Sequence, residues 1–239
     1  PTVKGVIPSK DSYRPFPDGA AVSSALNARC RGAFASKDTD SNTFFYAGTA
    51  SKLYDIRNAA LTDRSKAGGY TGGDTSVWRF AQQGDTVMAT NYNDDVQSAT
   101  IGTAGTFADM ITAGSRKPKA KDICIFREWV ILGGINDPTD GVVPERVWWS
   151  YFENRANFTP SAANLCDFQD IADGGEVKRV IGGREYVIIV QQHAFSRMVP
   201  ATTSTIFRID TIDPAHGTYV PNSLVNWGRV TPFLDEEGF

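Results

Sequence analysis

The stretch that decides the fold is REWVILGGINDPTDGVVPERVWWSYF, which runs from Arg127 to Phe152. It begins with a polar turn, continues as a short apolar strand, breaks at glycine and polar residues, and closes with a second apolar strand. Both strands are rich in β-branched and aromatic residues, which suit a pleated, half-buried surface. The pattern therefore predicts two antiparallel strands joined by a turn.

The same pattern occurs three more times in the chain. The other copies are TFFYAGTASKLYDI (Thr43 to Ile56), GDTVMATNYNDDVQSATI (Gly84 to Ile101) and REYVIIVQQHAFSRMVP (Arg184 to Pro200). The apolar runs begin at Phe44, Val87, Val130 and Val187, so their starts are 43, 43 and 57 residues apart. Repeats of this length, each holding about four strands, are typical of the blades of a β-propeller. We therefore predict an all-β fold, a β-propeller of four-stranded antiparallel blades.

The repeats also predict the domain organisation. Residues 1–30 are expected to form an extended N-terminal arm, because GVIPSKDSYRPFPDGA contains three prolines and several turn residues. Residues 31–239 are expected to form the propeller, with four blades and part of a fifth. The fragment RVTPFLDEEGF, from Arg229 to Phe239, restarts the motif, so the ring is expected to be incomplete in this chain.

Individual strands can be placed from alternation and from apolar runs. They are predicted near 31–36, 43–48, 51–57, 76–81, 86–91, 96–101, 121–126, 128–133, 145–152, 177–182, 185–191, 194–199, 204–210, 218–225 and 229–234. In SVWRFA, alternation puts Trp78 and Phe80 on one face and Arg79 and Ala81 on the other. EWVILGG and EYVIIVQQ are continuous apolar runs, as expected of inner strands buried on both faces. The best helix candidate is Phe107 to Gly114.

Composition and charge limit the classes of partner. The chain is 41% hydrophobic and 21% charged, with a formal charge of −3, which is ordinary for a globular domain. Its most basic stretch, SRKPKAK from Ser115 to Lys121, is predicted to be a solvated loop between repeats. Tight wrapping of nucleic acid needs many cationic contacts at once, so it is not expected here. No apolar run reaches 18 residues, so no membrane-spanning helix is expected.

The three cysteines do not form a recognisable chemical motif. Cys30, Cys124 and Cys166 lie far apart with no CxxC pair, which argues against a disulfide scaffold or a zinc site. The odd count fits synthesis in a reducing compartment. Cys124 sits in the strand pattern DICIFR and is predicted to be a small core residue.

No catalytic constellation is visible. His193 and His216 both lie in turn sequences and are predicted to be surface turn residues, since no HxH, HExxH or Asp/His pairing accompanies them. Ser150 follows two tryptophans but lacks a nucleophile motif, so it is predicted to be a strand-end hydroxyl. We therefore predict no enzyme, no catalytic residue, no cofactor and no metal ligand.

Acidic pairs occur in four loops and leave two interpretations open. They are Asp38/Asp40, Asp94/Asp95, Asp137/Asp140 and Asp170/Asp173. Such loops can bind calcium, but none has the DxDxDG register with a glutamate at the twelfth position. Aspartate is also a common turn residue, because its side chain bonds the local backbone. Turn formation is the favoured prediction.

The stretch SYFENRANF, from Ser150 to Phe158, loosely resembles the Asp-box hairpin of sialidase-type propellers, S-x-D-x-G-x-T-W. Phe152 stands where that box has Asp, and Asn154 where it has Gly. The box is a fold element, so the resemblance does not imply an enzyme. A glycosidase would also need a carboxylate pair or a tyrosine nucleophile in the central funnel.

A wider resemblance covers roughly Arg31 to Phe239. It rests on WRFAQQGDTVMATN, ERVWWSYFENRANFTPS, DIADGGEVKRVIGGREYVIIVQQHAFSRM and the final PNSLVNWGRVTPFLDEEGF. Their order resembles that of a propeller-type virion protein of tailed bacteriophages. In that family F-x-x-x-G-D-x-x-x-A-T-N is followed by V-x-W-S, then by G-G-x-I-x-x-I-x-G before a long apolar run, and finally by S-I-V-x-x-G … F-L … G-F. The chain departs from this pattern at Leu224, where the family usually has Ile, and in the spacer at Asn226 and Trp227.

The resemblance implies a structural subunit of the virion, made in the host cytoplasm and located in the tail region. It implies a tail hub or nozzle, or a head–tail joint, in which several copies, commonly six, form a homo-oligomeric ring around the DNA exit channel. The implied partners are portal, adaptor or tail proteins, with no sequence-specific binding of nucleic acid. Alternatives are a carbohydrate- or receptor-binding propeller, a glycosidase, or an unrelated β-rich fold. Three or more ionisable residues converging in the central funnel would favour an enzyme over a structural protein.

Overall fold

The computed structural model describes residues 6–15, 20–57, 59–73, 75–112, 114–201, 205–225, 230–235 and 238. The chain forms four four-stranded antiparallel sheets, one after another along the sequence, and a separate two-stranded hairpin near the N-terminus. In each four-stranded sheet the strands pair in chain order, so each sheet is an up-and-down meander. The prediction of an all-β, propeller-type fold with four-stranded antiparallel blades is confirmed.

The strands are numbered in chain order. The N-terminal hairpin consists of β1 (Val6–Ser9) and β2 (Ser12–Pro15). The first sheet consists of β3 (Gly32–Lys37), β4 (Thr43–Gly48), β5 (Leu53–Arg57) and β6 (Ala60–Asp63). The second consists of β7 (Arg79–Gln83), β8 (Thr86–Thr90), β9 (Gln97–Thr100) and β10 (Ala108–Asp109). The third consists of β11 (Lys119–Phe126), β12 (Trp129–Asp137), β13 (Gly141–Trp149) and β14 (Asp167–Asp170), and the fourth of β15 (Val177–Gly182), β16 (Val187–Gln191), β17 (Phe195–Pro200) and β18 (Phe207–Asp213).

The sequence repeat corresponds to the second strand of each sheet. The apolar runs that begin at Phe44, Val87, Val130 and Val187 fall on β4, β8, β12 and β16. The last step is the longest because residues 150–166, which connect β13 to β14, lie outside the sheet and carry a short 3-10 helix (Ala162–Asn164). The repeat period is therefore the blade period.

The first strand of each sheet lies innermost. These inner strands contact one another in order, β3 with β7, β7 with β11, and β11 with β15. Three clusters of buried side chains fill the spaces between the first and second, second and third, and third and fourth sheets. Within the described ranges no such cluster joins the fourth sheet to the first. The four sheets therefore form an open arc of a propeller.

Burial of the second strands depends on the neighbours of each sheet. β12 is buried along almost its whole length, as its continuous apolar run predicts. In the fourth sheet, however, Ile188 is half-buried and Tyr186 is 41% exposed. The prediction that EYVIIVQQ is buried on both faces is wrong at these two positions, because no further sheet of the described residues covers that face, although Val190 on the same face is buried. The alternation predicted for β7 is confirmed, since Trp78 and Phe80 pack toward the first sheet and Ala81 toward the third.

Glycine permits the closest approach between the third and fourth sheets. A Cβ atom added at Gly182 in β15 would lie 2.1 Å from the carbonyl oxygen of Ile125 in β11. A Cβ atom at Gly133 in β12 would lie 2.8 Å from a methyl carbon of Val180. Both distances are far below van der Waals contact, so the two sheets can pack at this spacing only because these positions lack a side chain.

The short outer strands were missed by sequence analysis. β6, β10 and β14 have two to four residues each and are largely exposed, so they lack the apolar alternation that marks a strand. The best helix candidate, Phe107 to Gly114, contains strand β10, and Phe107 is buried in the core, so the near absence of helix signal in the sequence agrees with the described structure of this segment. Residues 6–15, inside the predicted arm, form the hairpin of β1 and β2.

The C-terminal segment differs from its predicted strands. The strand expected at 218–225 is wrong, because Pro221–Ser223 forms a 3-10 helix. Of the predicted fifth blade, residues 226–229, 236–237 and 239 lie outside the described residues, and 230–235 and 238 contain no strand. This segment lies against the fourth sheet, where the rings of Phe233 and Phe195 are 4.7 Å apart. The Val225 amide also donates to the carbonyl of Pro232 at 3.2 Å.

Candidate functional site: the axial cavity

A cavity of about 640 Å³ lies between the inner strands of the second, third and fourth sheets. We call it the axial cavity. Its wall carries three cationic side chains, Arg79 from β7, Lys121 from β11 and Lys178 from β15, and one carboxylate, Glu176. The remaining wall is mainly neutral polar and aromatic and includes Tyr92. The charged groups on the wall therefore sum to a formal charge of +2 in a chain whose net charge is −3.

Glu176 links the two lysines. Its Oε1 accepts a hydrogen bond from Lys121 Nζ, and its Oε2 accepts one from Lys178 Nζ at 2.7 Å. Burial raises the pKa of Glu176, but the hydrogen bonds from both ammonium groups outweigh burial and leave the pKa below its usual value. Glu176 is therefore ionised at neutral pH and holds two ammonium groups close together. Lys121 Nζ also lies 5.0 Å from the ring centroid of Tyr92, a cation–π contact.

Asp122, directly behind this wall, joins the third and fourth sheets. Its carboxylate is 2% exposed, and its Oδ2 accepts hydrogen bonds from Arg179 Nε at 2.7 Å and from the Val180 amide at 2.8 Å. That amide lies on the free edge of an inner strand, so Asp122 satisfies a donor that has no strand partner. Arg79 Nε is farther away, 3.8 Å from Oδ1 of the same carboxylate.

Arg79 is thus the least neutralised charge in the cavity. Burial and the nearby guanidinium of Arg179 lower the pKa of Arg79, and the attraction of Asp122 offsets this only in part. Arg79 Nη2 donates to Asn222 Oδ1 at 2.6 Å, which is a neutral acceptor. The pKa of Arg79 is therefore lowered mainly because its guanidinium is taken out of water, and secondly because a like charge lies nearby.

The basic stretch from Ser115 to Lys121 is not a solvated loop. Lys119–Phe126 is strand β11, and the cationic side chains of the stretch are half-buried and paired. Arg116 pairs with Asp137, Lys117 Nζ lies 3.4 Å from Asp95, and Lys119 Nζ donates to the carbonyl of Asn93 at 2.6 Å. The loop prediction is wrong because alternating lysines and small residues are also compatible with an inner strand, whose lysines reach polar partners near the axis of the propeller.

Two of the acidic loops hold arginines as well as turns. Arg146 Nη1 lies 2.7 Å from Asp137 Oδ2 and from Asp140 Oδ2, and Arg146 Nε lies 2.6 Å from Asp170 Oδ1. Its guanidinium carbon is 3.8 Å from the ring centroid of Phe168. The turn prediction is correct for Asp137, whose Oδ1 accepts the Thr139 amide at 2.9 Å, but it missed this ion-pair network.

The other acidic loops contain local turn bonds. Asp38 Oδ1 accepts the Asn42 amide at 2.8 Å, which is turn chemistry as predicted, while Asp40 is exposed. Asp94 accepts hydrogen bonds from Asn91 and Thr71. Asp173 lies in the 3-10 helix Ala172–Gly174.

Both histidines lie in turns, but each has a partner that sequence analysis did not find. His193 Nε2 is 3.2 Å from the hydroxyl of Tyr219. His216 Nδ1 is 2.8 Å from Asp213 Oδ2, so the statement that no Asp/His pairing occurs is wrong. This pair is exposed. The spacing of three residues within one turn was the available signal.

The remaining candidate residues have structural contacts. The Ser150 hydroxyl is buried, accepts the Val130 amide at 3.1 Å and donates to the Tyr151 carbonyl at 2.9 Å. In the Asp-box-like stretch, the ring of Phe152 lies 4.7 Å from that of Trp129, and Asn154 forms an isolated bridge with Tyr151.

Among the described residues, no group of three or more His, Cys, Asp or Glu side chains could hold a metal ion. None of the helices in the same residues is long and apolar enough to cross a membrane.

Thiol labelling should distinguish one cysteine from the other two. Cys30 is exposed, whereas Cys124 and Cys166 are buried in the cores. Burial raises the pKa of Cys166 to about 12 and that of Cys124 well above its usual value. Because the thiolate is the reactive form, we expect Ellman's reagent at pH 8 to label only Cys30 rapidly in the native protein and all three cysteines in denaturant. Cys30→Ser should abolish the rapid phase, and a second rapidly labelled thiol would contradict the described packing.

The fold and the axial cavity together define a β-propeller protein whose inner strands carry ion-paired polar side chains. No family model matches the sequence, and no curated protein matches it. Among solved structures, the chain is similar to one described as "Crystal structure of BBS1N in complex with ARL6DN, soaked with mercury". The identity is 9% and the TM-score 0.45, and the match covers 95% of this chain and 66% of that chain. A likeness at this level assigns neither function nor partner.

Proposed function

We propose that this chain is a structural subunit of a tailed-phage virion, of the tail hub, nozzle or head–tail joining type, which assembles as a homo-oligomeric ring around the DNA exit channel. The observation that carries the proposal is the role of the motif residues behind the family resemblance. These residues form the blades and the contacts between blades, so the feature that this chain shares with the family is a rigid scaffold.

The A-T-N end of the first motif illustrates this role. Thr90 Oγ1 donates to the Ala120 carbonyl at 2.7 Å and so ties the second sheet to the third. Trp78, at the start of the same motif, donates from its indole nitrogen to the Thr49 carbonyl of the first sheet at 2.7 Å. In the third motif, Gln191 Nε2 donates to the carbonyls of Ile171 and Gly175, both at 2.7 Å. Each of these contacts fixes a sheet against a neighbouring sheet or segment.

The axial cavity does not favour the hydrolase alternative. Its four ionisable side chains meet the number expected of a reactive funnel. A glycosidase, however, requires a carboxylate pair or a tyrosine nucleophile facing the substrate, and Glu176 is the one carboxylate among the described residues that line the cavity. The two tyrosines of the wall are engaged elsewhere, since the Tyr92 ring lies 5.0 Å from Lys121 Nζ and the Tyr219 hydroxyl lies 3.2 Å from His193 Nε2. Glu176 is bound by two ammonium groups that lower its pKa, which makes it a weak general base.

The tryptophans do not favour the carbohydrate-binding alternative either. Sugar rings stack on exposed tryptophan or tyrosine faces, and the exposed rings of this kind among the described residues are tyrosines, among them Tyr186 at 41% and Tyr219 at 45% exposure. The four tryptophans in the described residues are all buried, with Trp129 the most exposed at 6%. Their rings are used inside the cores between sheets.

The end sheets provide surfaces for assembly. The row Ala35–Phe45–Ile56–Leu61 runs across the first sheet on the face turned away from the second sheet. Phe45 in this row is 47% exposed. A free apolar sheet face of this kind is suited to subunit contact, because stable interfaces bury roughly 1,000 Å² or more.

The test is assembly in solution combined with location in the particle. We expect light scattering and negative-stain images of the purified chain to show rings. Phe45→Lys should shift the rings to smaller species, whereas the matched change Val142→Lys, at a 64% exposed position in the third sheet, should not. Mass spectrometry of intact particles should detect the chain, and a glycan array should be blank. A monomeric chain that is absent from particles would refute the proposal.

A further inference from the structure

The axial cavity has the charge and the donors of an anion site, independently of any role in a virion. Arg79, Lys121 and Lys178 come from three different sheets and all line this cavity, and the two lysines share Glu176. The two lysine nitrogens are held on opposite oxygens of a single carboxylate, which fixes them within a few ångströms of each other. Guanidinium and ammonium groups are the common protein donors to phosphate oxygens.

The existing counter-charges do not neutralise this wall. The carboxylate nearest to Arg79 is Asp122, at 3.8 Å, and Arg179 already binds that carboxylate at 2.7 Å. Glu176 is shared between two lysines. Each carboxylate thus serves two cations, and each pair of cations retains one unbalanced positive charge. A partly desolvated cavity makes such an imbalance costly unless an anion completes it.

We propose that the axial cavity is a binding site for a phosphate group, contacted by the Arg79 guanidinium and by the ammonium groups of Lys121 and Lys178. The formal charge of +2 on the wall is opposite in sign and equal in magnitude to the charge of a phosphate dianion. Phosphate carries several acceptor oxygens on one small group, and the donors of the cavity belong to three different sheets. The cavity, at about 640 Å³, is larger than inorganic phosphate, so it also accommodates a small organic phosphomonoester.

The first experiment measures binding by isothermal titration calorimetry at constant ionic strength. The ligands are inorganic phosphate, a small phosphomonoester, glutarate and chloride. We expect saturable binding of phosphate, none of chloride, and at least about tenfold weaker binding of glutarate. Tighter binding of the phosphomonoester than of phosphate would identify an organic phosphate as the natural ligand, and equal binding would identify free phosphate. No saturable binding of phosphate, or glutarate binding as tight as phosphate, would overturn the proposal.

Two variants that are expected to change phosphate affinity in opposite directions locate the site. Arg79→Gln should weaken phosphate binding by about tenfold or more, because it removes a charge-assisted hydrogen bond. Glu176→Gln should tighten phosphate binding several-fold, because it removes a carboxylate that competes for both lysines. Impaired folding cannot produce a gain in affinity, so the second variant remains informative if the first is unstable.

The matched control is Arg197→Gln. Arg197 lies on β17 of the fourth sheet, away from the cavity wall, and its side chain is 44% exposed. This variant should bind phosphate as the unaltered protein does. If Arg197→Gln loses affinity as Arg79→Gln does, or if Glu176→Gln binds phosphate more weakly, the assignment to the axial cavity is wrong.

Discussion

Replacing Asp55 with alanine is expected to lower the free energy of unfolding by about 3–5 kcal/mol. Asp55 and Arg64 form the most buried ion pair of the first sheet, with side-chain exposures of 1% and 2% and an Nη1–Oδ2 distance of 2.5 Å. Without Asp55, the Arg64 guanidinium stays buried with no carboxylate. Urea unfolding followed by tryptophan fluorescence measures the loss.

The same carboxylate also organises the contact between the first two sheets. Arg57 Nη2 lies 2.7 Å from Asp55 Oδ2 and donates to the Thr103 carbonyl, and Arg64 Nη1 donates to the same carbonyl at 2.6 Å. Asp55 therefore orients two arginines that hold a loop of the second sheet. We expect that loop, residues 102–105, to exchange its amide protons faster in the variant.

A matched exposed pair provides the control. Asp63 lies 2.6 Å from Lys52, with both side chains more than 40% exposed. Asp63→Ala should cost no more than about 1 kcal/mol, because water screens an exposed pair. The double change Asp55→Leu with Arg64→Met should recover much of the loss, since an apolar pair needs no charge partner. If Asp55→Ala costs no more than Asp63→Ala, the pair is not buried as described.

Replacing Trp148 with alanine is expected to lower the free energy of unfolding by about 3–5 kcal/mol. Trp148 is fully buried in the core between the second and third sheets. The guanidinium carbons of Arg116 and Arg146 lie 4.7 and 5.8 Å from its ring, so the change removes cation–π contacts as well as apolar area. The measurement is again urea unfolding, with circular dichroism as the probe because the change removes a fluorophore.

A change on the same strand provides the comparison. Val142 is also in β13 but is 64% exposed, so Val142→Ala should change stability by no more than about 0.5 kcal/mol. Trp148→Phe should fall between the two, because it keeps most of the ring in the core. Equal losses for Trp148→Ala and Val142→Ala would show that this core does not stabilise the arc.

The blades could be predicted because their signal is local. Strands β8 and β12 have a neighbouring sheet on each face, so their burial appears in consecutive residues as apolar runs. Strands β4 and β16 belong to the end sheets, and their apolar runs are only partly buried. The outer strands β6, β10 and β14 lie at exposed sheet edges, where nothing requires apolar residues, and their positions were missed. The repeat spacing predicted the type of blade and four of its copies, but the fifth blade that it suggested contains no strand in the described residues.

The axial cavity could not be predicted, although part of its signal was present. Arg79, Lys121 and Lys178 each lie at or near the start of an inner strand, the same place in three successive repeats. Taken one at a time, however, Lys121 lies in a basic run and Lys178 lies near the start of a strand among other charged residues. Both local patterns are also common for residues exposed to solvent. The positions of Asp122 and Glu176 between pairs of cations became visible only once the sheets were packed side by side.

The sequence by itself determined that residues from Arg127 to Phe152, and their three counterparts, form antiparallel strands of repeated blades. It could do so because side-chain alternation and apolar runs reflect the backbone geometry of each strand directly. The repeats also predicted an incomplete ring. Only the tertiary structure decided that the gap lies between the fourth and first sheets of the described residues, and that cations from three sheets line one cavity at the axis. Those features depend on contacts between residues about 40 to 100 positions apart, which the packing of whole sheets selects and no local pattern records.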